Sequence, residues 1–74
     1  MEVKVEYIGS LDDDRNDKID AKVSFYKQIE EYGFSADVVV WVPKRDARIS
    51  EIKNDVIQAA IDFLKQAQQS IPHN

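Results

Sequence analysis

The stretch Leu11 to Asp20, LDDDRNDKID, concentrates five aspartates in ten residues. Asp12, Asp14 and Asn16 fall at alternate positions, the spacing with which an EF-hand loop begins to present oxygen ligands to calcium. Counted from Asp12, the eighth position is Ile19, which also suits such a loop. The other requirements fail. The sixth position, where a sharp turn needs glycine, is Asp17, and the twelfth, where a bidentate glutamate closes the shell, is Val23. The flanking segments read as strands rather than helices. A connection between two strands needs only residues that stay hydrated and accept turn geometry, and Arg15 and Lys18 offset part of its charge. We read 12–20 as a solvated loop and expect no specific metal site.

Little else in the chain could do chemistry. The only histidine is His73, in a tail expected to fray, and there is no cysteine, hence no thiolate nucleophile, disulfide or thiolate metal site. No glycine-rich phosphate loop or paired metal-ligand spacing is present. Glu30 and Glu31 sit at a turn, where solvation accounts for them. A chain of 74 residues also has little room for a pocket of several hundred cubic ångströms. The expectation is therefore no enzyme, no catalytic residues and no cofactor.

One basic cluster remains: Lys44, Arg45, Arg48 and Lys53, where the last strand gives way to a helix. Backbone N–H groups at a helix start, flanked by cations, can hold phosphate. Three strands followed by a helix are similar in outline to the later part of double-stranded RNA-binding domains, whose last helix opens with lysines. That resemblance implies phosphate contacts from the segment SEIKNDVIQAAIDFL. Here only Lys53 occupies the basic position, Glu51 and Asp55 stand beside it, and the family's first helix has no counterpart. Residues 1–37 sum to −5 and residues 38–74 to +1, an acidic balance that argues against a broad phosphate-binding surface. Nucleic-acid binding through the 44–53 segment is the secondary reading.

The elements that position these residues follow from hydrophobic period. EVKVEYI alternates strictly, with Val3, Val5 and Tyr7 on one face and Glu2, Lys4 and Glu6 on the other, as in a half-buried strand. KIDAKVSFYKQIEE fits two templates. As a helix it aligns Ala21, Phe25, Ile29 and Tyr32. As a strand it aligns Ile19, Ala21, Val23, Phe25 and Ile29, broken only by Lys27, and its β-branched and aromatic content favours the strand. EYGFS then turns the chain, with Gly33 free to take a positive φ. ADVVVWV is the surest strand, closed by Pro43, with Ala36, Val38, Val40 and Val42 on one face and Asp37, Val39 and Trp41 on the other. Residues 49–70 form a long helix. Ser50 is the expected N-cap, and Ile52, Val56, Ala59, Ala60, Phe63 and Ala67 make a stripe.

The expected fold is one small α+β domain over 1–74. A three-stranded antiparallel sheet in β-β-β-α order carries one long C-terminal helix packed on one face. Its core is Val3, Val5, Tyr7, Ala21, Val23, Phe25, Val38, Val40 and the helix stripe. A chain this short, without disulfide or metal, is stabilised by packing or by a partner subunit. MEVKVEYIGS lacks the apolar core of a signal peptide, and no apolar run approaches the roughly 18 residues a membrane span needs, so we expect a soluble, cytoplasmic protein.

Apolar residues exceed what that core can absorb. On the helix, Ile57, Ile61 and Leu64 form a second ridge, widening the apolar arc to close to 200°, where one sheet needs little more than about 100°. On the outer sheet face, Tyr26, Val39 and Trp41 have no helix above them. A contiguous apolar patch rimmed by charge marks an association site, and tryptophan and tyrosine are favoured anchors. Tyr26, Val39, Trp41, Ile57, Ile61 and Leu64 are therefore the expected interaction surface, for a protein partner or for a second copy in a homodimer.

Overall fold

The computed structural model describes residues 1–11, 15 and 17–70. β1 (Glu2–Gly9), β2 (Lys18–Ile29) and β3 (Tyr32–Pro43) form an antiparallel meander in the order β1-β2-β3, and α1 (Ile49–Ser70) returns across one face. This is the expected α+β layering. The ambiguous second segment is a strand over twelve residues, in continuous register with β3 from Lys18↔Pro43 to Ile29↔Tyr32.

The core lies between the sheet and α1. Ile19, Ala21, Val23 and Phe25 point inward from β2, and Val38, Val40 and Val42 from β3; Ile52, Val56 and Ala60 meet them from the helix. The helix residues are spaced by four, and Leu64 continues their line as a half-buried neighbour. Contact thus follows one i+4 ridge, which is inclined to the helix axis. This accounts for Phe63, expected in the core but 56% exposed: it lies off that ridge although its helical angle is close to that of Ile52. Ala59 and Ala67 flank the ridge and are half-buried.

β1 departs from strict alternation. Val3 faces Phe25 and Val5 faces Val23, but the register then slips, so that Tyr7 faces Lys22 and Ile8 faces Ala21. A β-bulge inserts one extra residue and reverses the faces beyond it. Ile8 thereby takes the inward position expected of Tyr7, which is exposed. Val3 shares the inward face but lies at the rim and is exposed, while Val5 is half-buried.

The β2–β3 turn is Glu30–Glu31, not Gly33. Glu30 has φ of 56° and no glycine among the described residues has a positive φ. The sign pattern is that of a type II′ hairpin, whose first central position usually belongs to glycine. Gly33 pairs with Gln28 inside the strand. At the other end of β2, Gly9 leaves room for the Asp20 carboxylate: a Cβ there would lie 2.7 Å from Asp20 Oδ1 and displace it from the hydrogen bond it accepts from Ser10 Oγ at 3.0 Å.

The helix starts earlier than its expected cap. The carbonyl of Arg48 accepts from the amides of Glu51 and Ile52, both at 3.0 Å, so Arg48 is the capping residue and Ser50 lies in the first turn. Arginine has no oxygen to offer the free N–H groups, and its charge opposes the helix dipole. Arg48→Asp should therefore raise stability by about 1 kcal/mol, seen as a higher urea midpoint with an unchanged slope. A lower midpoint would contradict this placement of the cap.

Candidate interaction surfaces

With α1 on one face, the other face of the sheet is open. It carries Glu2, Lys4 and Tyr7 from β1, Asp20, Lys22, Ser24 and Tyr26 from β2, and Ser35, Asp37, Val39 and Trp41 from β3, as the registers dictate. Part of this face is polar and internally bonded. Ser24 Oγ donates to Asp37 Oδ1 at 2.7 Å, and Lys22 Nζ lies 3.8 Å from Asp37 Oδ2. Apolar side chains lie around that pair. Trp41 is 66% exposed, Val39 44% and Tyr26 43%. Tyr7, turned outward by the bulge, sits on the same cross-strand row as Lys22 and Val39. Tyr26 also has work within its own chain: its ring lies 3.9 Å from where a Cβ of Gly33 would be, and its hydroxyl donates to Gln28 Oε1 at 3.3 Å.

The helix contributes less surplus than its 200° arc implies. Ile57, Ile61 and Leu64 are half-buried and pack against the core. The reason is the inclined contact ridge. Asp55, Gln58 and Ala59 line a groove with Val42 and Pro43 on the β3 side, which turns the Ile57–Ile61 side toward β1, where Val5 and Ile8 are half-buried too. The three helix residues and the three sheet residues singled out from sequence therefore do not form one patch.

A second apolar surface lies where the sequence reading placed a turn. β3 begins at Tyr32, and its inward alternation continues backward from Val38 through Ala36 to Phe34 and Tyr32. Phe34 is 56% exposed, and Ile29 and Tyr32 are exposed beside it. Phe25, Ile29, Phe34, Leu64 and Met1 line an open groove of about 400 Å³ between the hairpin and the helix. The signal for it was present: carrying the β3 alternation two steps past Ala36 reaches Phe34 and Tyr32.

The basic segment is partly neutralised. Arg45 forks onto Asp55, with Nε to Oδ2 at 2.7 Å and Nη2 to Oδ1 at 3.2 Å, and its Nη1 lies 3.5 Å from Glu51 Oε2. The hydrogen bond to Asp55 raises the Arg45 pKa, and the same bond holds the Asp55 carboxyl below the usual carboxylate range. The Lys44 amide donates to the Asp17 carbonyl at 2.9 Å, extending the β2–β3 ladder past Pro43. Arg48, at the cap, and Lys53, in the second turn of α1, are exposed. Because the folded-state pKa of Asp55 is depressed, any stabilisation from this tie is present above the unfolded-state value and is lost as pH falls through the folded one. Asp55→Asn should accordingly lower the urea midpoint slightly at neutral pH and leave it equal to wild type in strong acid. A difference that persists or grows on acidification would contradict the pairing.

Asp12, Asp13, Asp14, Asn16 and His73 lie outside the described residues. Among the described residues, no three acidic or histidine side chains cluster closely enough to hold a metal ion, and no helix is long and apolar enough to cross a membrane.

These features define a two-layer α+β meander with one helix-covered face and one open face bearing aromatic residues. No protein-family model, curated protein or solved structure matches the chain.

Proposed function

We propose that this chain is a non-enzymatic protein-interaction module whose working surface is the open face of the sheet, centred on Trp41. The supporting observation is the exposure of Trp41 at 66%, beside Val39 on the same strand and with Tyr26 and Tyr7 on the same face. An exposed tryptophan on a face where Val39, Tyr7 and Tyr26 alternate with Lys22, Asp37 and Lys4 offers a favoured anchor among polar contacts, as interfaces do. The protein partner is another chain or a second copy of this one. The basic 44–53 segment is the alternative, with nucleic acid as its ligand; the pairing of Arg45 with Asp55 and Glu51 reduces the charge it can offer. Affinity capture from native lysate with wild-type and Trp41→Ser baits tests the proposal. A protein retained by the first and lost by the second is expected, whereas identical captures, with retardation of RNA or DNA at low salt, would favour the alternative.

A further inference from the structure

Resting on the reading of the surplus apolar surface as an association surface, we infer that its occupant is a second copy of this chain, joined by antiparallel pairing of β3 with β3 into one six-stranded sheet. The sheet has two edges, β1 and β3, and they are built differently. β1 spans eight residues, carries a bulge, and presents Glu2, Lys4 and Glu6. Short length, bulges and charges are how edges are kept from pairing. β3 spans twelve residues without a register shift and carries one charge, Asp37. An edge so long, regular and sparsely charged is a template for another strand.

Exposed apolar surface is concentrated on this strand: Tyr32, Phe34, Val39 and Trp41 are each at least 44% exposed, where a standard interface asks for about 800 Å² from each partner.

Side chains choose the register. Residues opposite one another in an antiparallel pair point to the same face, so a two-fold axis must pass midway between some residue and its own copy. An axis at Asp37 sets two carboxylates against each other. An axis at Val38 avoids this and pairs nearly all of β3. On the inner face it sets Phe34 opposite Val42 of the second copy, at the groove of about 360 Å³ that Val42 and Pro43 form with Asp55, Gln58 and Ala59. On the outer face it sets Trp41 opposite Ser35 of the second copy. Within each chain Ser35 pairs with Tyr26. The small serine leaves room for Trp41 to reach Tyr26 of the other copy, two strands or about 10 Å away. The large exposed side chains of the edge thus meet a groove and a small residue.

Sedimentation equilibrium over the micromolar range is expected to give twice the 8.5 kDa chain mass. Phe34→Lys should weaken self-association about 30-fold or more with unchanged far-ultraviolet dichroism, because Phe34 lies outside the buried core. The chain has no cysteine, so register is tested by mixing Asp37→Cys with Val39→Cys protein: the mixture should cross-link faster than either alone. A wild-type monomer throughout overturns the inference, as does a dimer indifferent to Phe34→Lys or a mixture that cross-links no faster than its components. A monomer that still holds another protein through Trp41 sinks only the second copy. A dimer with no such partner sinks only the binding of another protein.

Discussion

Val56→Asp is expected to leave the chain unfolded in water at neutral pH. Val56 has no exposed surface; it sits at the middle of the i+4 ridge that joins helix to sheet, against a core that includes Val23 and Ile19. Among the described residues no polar or charged side chain is buried there to receive a carboxylate. An unpaired buried charge costs several kcal/mol even after relaxation. The whole stability of a domain this size is about 4–11 kcal/mol, and ten buried side chains among the described residues put this one toward the low end. Val56→Ala removes two methyl groups and leaves a cavity, for about 2–3 kcal/mol, and should still fold. The measurement is far-ultraviolet dichroism with urea titration. A cooperative transition for Val56→Asp near the wild-type midpoint would show that α1 does not pack on the sheet through this ridge.

The second large effect is a contrast. Ile19→Ala should cost about 2–5 kcal/mol, because Ile19 is 1% exposed at the end of β2 where the sheet, the β3 terminus and the start of α1 converge. Tyr7→Ala should cost less than about 1 kcal/mol, because the bulge turns Tyr7 to the open face. Strict alternation along EVKVEYI would make Tyr7 a core residue, with a loss comparable to that of a buried aromatic. Paired urea midpoints decide between the two. Equal, large losses would mean that β1 runs without the register slip between Val5 and Tyr7.

This contrast also shows where reading residues ahead of coordinates succeeds and where it stops. Hydrophobic period gave all three strands and the helix, because each element is long and only one face of each is covered. The inward sets Ala21, Val23, Phe25 and Val38, Val40, Val42 are as periodicity required. The bulge escaped because Val5, Tyr7 and Ile8 fit either phase, and only pairing with Lys22 and Ala21 selects one. The hairpin escaped because Gly33 is the stronger local turn signal, yet the register from Ile29↔Tyr32 places the bend at Glu30, against that residue's backbone preference. Long-range pairing there overrides local propensity, and with Gly33 inside β3 the apolar alternation extends to Phe34. The helix stripe was right in angle but not in extent, since burial needs sheet beneath it and the contact follows an inclined line. Of the six residues expected to form one surface, Tyr26, Val39 and Trp41 are exposed on one face, with the Ser24–Asp37 pair between Tyr26 and the other two, while Ile57, Ile61 and Leu64 are mostly spent on the core.

What distinguishes this small domain physically is an unequal pair of sheet edges and an uncovered aromatic face. β1 is short, bulged and charged. β3 is long, regular and sparsely charged, and it bears the only tryptophan in the chain. That single tryptophan makes the account directly measurable. Its emission, followed with a soluble quencher as protein concentration rises, reports the environment of Trp41 alone. A shift to shorter wavelength with loss of quencher access, in step with self-association or with addition of a captured partner, is the predicted result. Emission that stays long-wavelength and fully quenchable at every concentration and with every captured protein would contradict the claim that this face is built to be covered.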